Sequence, residues 1–126
     1  MTTPKPTASE LEILHVLWER GPATVREVHD ALAAKKPIGY TSVLKLMQIM
    51  TAKGTLRRNE EQRAHVYEAV QPAEKTKRQL AMDVLERVFD GSASDLMMHA
   101  LAGQKASKEE IEEMRRMLSD YERRLP

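Results

Sequence analysis

Between residues 55 and 70 the spacing of the apolar side chains changes, and this limits the fold more than any other feature of the chain. Before that stretch, apolar residues recur at helical steps in three short runs. After it they return to helical steps. Within it, residues 55–58 and 65–70 read as two short strands, with 59–63 as a polar turn between them. Glu60-Glu61-Gln62 contains no glycine, so a loose hairpin tip is expected rather than a tight two-residue turn. Three helices followed by a hairpin is the winged-helix order. The expected fold is therefore mostly α with a small β-hairpin: an N-terminal winged helix-turn-helix and a C-terminal helical region.

Three capping boxes set the helix starts. In Thr7-Ala8-Ser9-Glu10, Thr24-Val25-Arg26-Glu27 and Ser107-Lys108-Glu109-Glu110, a hydroxyl and a carboxylate three residues apart can each satisfy an unpaired backbone N–H. The first helix runs to about Arg20, with Leu11, Leu14 and Trp18 on one stripe, and Gly21-Pro22 stops it. The second carries Val25, Val28 and Leu32 and ends near Ala34, before the break at Lys35-Lys36-Pro37. The third follows Gly39, spans about 41–53 and is closed by Gly54. Its expected buried face is Val43, Leu46, Met47 and Met50; Thr41, Lys45 and Gln48 face the other way. Beyond the hairpin, Gln71-Pro72 opens a long helix to about Asp90. A short Met-rich helix over 92–102 and a last helix with Ile111, Met114, Leu118 and Tyr121 on one stripe complete the chain. The expected division is a flexible tail over 1–6, a winged-helix DNA-binding domain over 7–71 and a helical dimerisation region over 72–126.

Composition narrows the function. With 41% hydrophobic and 31% charged residues the chain is globular, and with only 4% aromatics its core rests on Leu, Val, Ile and Met. The absence of cysteine excludes disulfides, cysteine metal clusters and a thiol nucleophile, and is consistent with a cytoplasmic protein. The first six residues lack the apolar run of a signal peptide, and no stretch is long enough to span a membrane. The net charge is only +1, but it is unevenly placed. Residues 35–63 hold seven basic side chains against Glu60 and Glu61, a net +5, which leaves −4 for the remainder. Such a segment is either a nucleic-acid face or a solvated basic surface.

A helix-turn-helix lays its second helix in the major groove, where all four base pairs differ. The candidates there are Tyr40, Thr41, Ser42, Lys45 and Gln48: hydroxyls for phosphates or bases, Gln for adenine, Lys for guanine or a phosphate. The hairpin adds Arg58 and Arg63 as backbone or minor-groove contacts; Arg57 is as readily a plain surface residue. His15, His29, His65 and His99 lie on four different predicted elements, and no two share a ligand spacing, so neither a metal nor a cofactor is expected. No Gly-rich phosphate loop or nucleophile–base pattern points to an enzyme.

The ordered set of segments resembles the penicillinase-repressor family (BlaI/MecI/CopY type). "ASELEILHVLWERGPATVREVHDAL" is similar to its first two helices, "YTSVLKLMQIMTAKGTLRR" to its recognition helix and first strand, "QRAHVYEAV" to its wing exit and "ASKEEIEEMRRML" to its final helix. The resemblance implies a homodimeric transcriptional repressor that binds a palindromic double-stranded DNA operator, its C-terminal helices interlocking through Leu96, Met97, Ile111, Met114, Leu118 and Tyr121. It also implies a sensor-linked protease as a partner, yet the Asn-Phe pair cut in the resistance repressors is His99-Ala100 here. Gln62 replaces a glycine in the wing turn, and Ile49 replaces a basic residue late in the recognition helix. The copper-responsive branch, which ends in a cysteine-rich hook, does not fit a chain without cysteine. The alternative function is a winged-helix protein-interaction module that docks through its helical tail and lacks sequence-specific DNA binding.

Overall fold

The computed structural model describes residues 5–103 and 105–126; the first four residues of the expected tail lie outside the described residues. The order of elements is α1 (Ala8–Arg20), β1 (Ala23–Thr24), α2 (Val25–Ala33), α3 (Tyr40–Lys53), β2 (Leu56–Asn59), β3 (Val66–Ala69), α4 (Ala73–Arg87), α5 (Ala93–Ala102) and α6 (Lys108–Arg124). The winged-helix expectation is borne out, with one addition. The sheet has three strands rather than two, in the order β1-β3-β2, all antiparallel. Apolar spacing does not reveal β1, which is two residues long and exists only through pairing with β3, Ala23 with Tyr67 and Thr24 with Val66.

The expected caps form at α1 and α2. Thr7 Oγ1 accepts from Glu10 N while Glu10 Oε1 accepts from Thr7 N, and Thr24 and Glu27 repeat the exchange. At α6 Ser107 Oγ accepts from Glu110 N, one half of a box. Gly54 ends α3 at φ 89°, and Thr55 N then donates back to Met50 O at 2.9 Å, as a left-handed residue after a helix allows. α4 stops at Arg87, three residues short of the expected end, and Asp90 and Gly91 both have positive φ in the turn that follows.

The chain divides into two compact units, Met1–Leu80 and Ala81–Pro126, the division falling within α4. The core lies in the first. Ile13, Leu14 and Leu17 from α1 meet Val25, Val28 and Leu32 from α2 and Val43, Met47 and Met50 from α3, with Ala23, Leu56 and Tyr67 from the sheet. The helical spacings bring each triplet to one face, and burying one such side chain contributes about 1.5–3 kcal/mol. Leu46, expected among them, is only half-buried. Trp18 closes the unit where the sheet ends, its indole N–H donating to Gln71 O at 3.0 Å. In the second unit, α5 and α6 bury no residue fully. Among the described residues no helix is long and apolar enough to cross a membrane.

Candidate nucleic-acid interface

Burial of Val43, Met47 and Met50 fixes the rotation of α3, so its opposite side must face outward. Thr41, Lys45 and Gln48 stand exposed along that side at steps of four and three, with Ser42 beside them and Tyr40 at the helix entry. Ile49, 38% exposed, stands in the same row and is the single large aliphatic side chain in it. Gly39 precedes the helix in an extended conformation and supplies no side-chain cap, and the first turn holds no acidic residue. Within α3 itself no acidic side chain opposes an anion at this end.

The hairpin brings its arginines to different places. β2 and β3 pair in simple register, Leu56 with Ala69 through Asn59 with Val66. Alternation then puts Arg58 on the face of buried Leu56 and Tyr67, and Arg57 on the other. Arg58 is bound within the protein. Its guanidinium donates to the Tyr67 phenol and to the Glu60 carboxylate, which raises its already high pKa further. Arg57 pairs with Glu68 at 2.9 Å. Arg63 sits in the exposed connection between the strands, where Asn59 Oδ1 accepts from Glu61 N at 2.9 Å and shapes the turn.

The structure therefore redistributes the charge seen in sequence. Of the seven cations in residues 35–63, four are paired: Lys36 with Glu12 at 2.7 Å, Lys53 with Glu10 at 2.9 Å, Arg57 with Glu68, and Arg58 with Glu60. Glu10, Glu12 and Glu68 lie outside that window in sequence and lower its net +5 to +2 in space. Among the described residues, the side chains of Lys35, Lys45 and Arg63 hold no hydrogen bond or ion pair. These are the cations that can exchange counterions for phosphates without first breaking an internal pair.

The fold brings Tyr40, Thr41, Ser42, Lys45 and Gln48 onto one short helix. It ties Arg58 to Tyr67 and Glu60 and leaves Arg63 free on the connecting loop. Sequence reasoning misses the pairing carboxylates, which lie up to 43 residues from their cations. It also misses Arg26 on α2, whose guanidinium lies 5.8 Å from the centre of the Tyr40 ring. A cation in the first turn of a helix, the end that disfavours it, is the available signal.

The C-terminal stripe is separate. Met97, Ile111, Leu118 and Tyr121 are 41%, 38%, 63% and 60% exposed, and Leu96 and Met114 are half-buried. His99 and Ala100 lie inside α5, exposed, with His99 O accepting from Gly103 N at 3.3 Å.

Known proteins resemble this chain. The chain is 30% identical over 115 residues to the transcriptional regulator BlaI of Mycobacterium tuberculosis, covering 90% of this chain and 82% of that protein. It is 19% identical over 113 residues to the methicillin resistance regulatory protein MecI of Staphylococcus aureus, covering 90% and 92%. The solution structure of the DNA-binding domain of the repressor BlaI superposes with a TM-score of 0.52 at 22% identity, over 57% of this chain and 88% of that domain, and so shares the fold. Since residues 6–120, most of the chain, match the penicillinase repressor family, this chain belongs to that family.

Proposed function

We propose that this protein is a transcriptional repressor that binds a palindromic DNA operator as a homodimer. α3 enters the major groove, Thr41, Lys45 and Gln48 face base edges and nearby phosphates, and Tyr40 and Ser42 contact DNA at the helix entry. The observation that carries this reading is the exposed polar face of α3 with an unpaired Lys45 in its middle, opposite three fully buried core residues. Arg63 adds a backbone contact from the wing. Arg58 contributes only by exchanging Glu60 for a phosphate. The dimer forms through the exposed stripe of α5 and α6, and two-fold symmetry then repeats every DNA contact. Membership of a repressor family supports the reading, and in this reading the protein works in the cytoplasm.

Release from DNA does not follow from a cut at His99-Ala100. That bond lies within a hydrogen-bonded helix and lacks the Asn-Phe pair of the resistance repressors, so a sensor-linked protease would have to act elsewhere.

Selection of bound duplexes from a random pool, followed by salt titration, tests the proposal. Lys45→Ala and Arg63→Ala should each lower the slope of log K against log salt by about 0.9 per protomer. Arg58→Ala should change it less. Weak, sequence-blind binding by the intact chain would overturn the reading. Neutralisation of four cations, together with Ile49 in the groove-facing row, favours a second reading as a protein-docking module. That reading expects unaltered behaviour of both charge variants and loss of a protein partner on Ile111→Asp.

A further inference from the structure

Arg26 stands in the first turn of α2, exposed, where the positive end of the helix dipole opposes a cation. Its neighbour Glu27 does not compensate it, because that carboxylate accepts from Thr24 N and pairs with Arg20 at 2.7 Å. Arg26 instead meets Tyr40, its guanidinium carbon 5.8 Å from the ring centre. The ring is itself braced: His29 packs edge-on against it at 5.8 Å and 74°, and His29 Nε2 is 2.8 Å from Ile38 O in the link to α3. A guanidinium over an aromatic ring keeps its in-plane N–H groups free for a planar or tetrahedral oxyanion. In a helix-turn-helix, α2 is the helix that crosses the DNA backbone while α3 occupies the groove.

We propose that Arg26 is a DNA-backbone contact, presented by the Tyr40 ring so that its guanidinium clamps the phosphate beside the entry of α3. Tyr40 is then a positioning residue for Arg26 in addition to its own contact. The inference rests on the DNA-binding reading above and extends the interface onto α2.

The test uses the full-length chain on the duplex it enriches from a random pool, with binding read by anisotropy across a salt series. Arg26→Ala should weaken binding roughly tenfold, as loss of a charged hydrogen bond does, and lower the salt slope by about 0.9 per protomer. Its selected sequence should not change, since a phosphate carries no base identity. Tyr40→Phe should retain the Arg26 effect in full. In a Tyr40→Ala background the further loss on Arg26→Ala should shrink, a non-additivity that general destabilisation does not produce. A wild-type slope for Arg26→Ala, or strict additivity with Tyr40→Ala, overturns the inference. Lys45→Ala separates the two readings. If it lowers the slope and Arg26→Ala does not, this inference alone fails; if the intact chain shows neither enrichment nor salt dependence, both fail.

Discussion

Glu10 shows how one side chain serves both a local cap and a distant element. It is 2% exposed, accepts from Thr7 N at the start of α1 and pairs with Lys53 at the end of α3. Burial pushes its pKa up, but the Thr7 N–H and the hydrogen bond and charge of Lys53 outweigh that and hold the carboxyl below its ordinary value. A depressed folded pKa gives stability that is complete above the unfolded value and is lost as pH falls through the folded one. Glu27 is shifted in the same direction, first by the Thr24 N–H, so acid weakens both caps. Glu10→Gln should lower stability near neutrality by about 1–3 kcal/mol. It should also flatten the loss seen as pH falls through and below the ordinary glutamate value, about 4.3. Urea unfolding across that range checks both; an unchanged pH dependence would remove Glu10 from the account.

At the scale of elements, α3 is held at both ends by different means. Its entry is held from α2 through Tyr40 and His29, its exit by Gly54 and the Lys53–Glu10 pair. A Cβ at Gly54 would meet no atom within 4 Å, so replacing it tests backbone conformation alone. Gly54→Ala should cost about 1–2 kcal/mol, the strain of a left-handed residue with a side chain, measurable as a lower midpoint in urea with unchanged slope. Much of this level is legible in the sequence, because caps, helical stripes and glycine stops act within a few residues. The boxes at Thr7 and Thr24 and the buried triplet of α3 stand where their spacing places them. β1 and the Lys36–Glu12, Lys53–Glu10 and Arg57–Glu68 pairs are not legible, because each depends on residues from separate elements. The candidate site divides the same way. The exposed face of α3 follows from its own periodicity, whereas the bond from Arg58 to Tyr67 depends on strand register.

At the scale of the molecule, the two units differ in how far they satisfy themselves. The first encloses a core drawn from three helices and the sheet. The second leaves a long amphipathic stripe open on α6, and a helix of that kind gains most of its stability from what it packs against. If a second copy covers it, Ile111→Asp should weaken the dimer by roughly tenfold or more, seen as a shift to monomer in sedimentation equilibrium. A dimer indifferent to the substitution would place the interface elsewhere.

Trp18 gives the molecule an optical property. It is the only tryptophan in the chain, lodged in the first unit with its indole N–H on Gln71 O and the His15 ring edge-on at 5.4 Å. Red-edge excitation therefore draws emission from a single place. That light reports whether the first unit is closed at the point where the chain leaves its sheet. Far-ultraviolet dichroism, dominated by the helices, sums over both units. Recorded on one sample, the two signals resolve whether the halves of this chain come apart together or in turn.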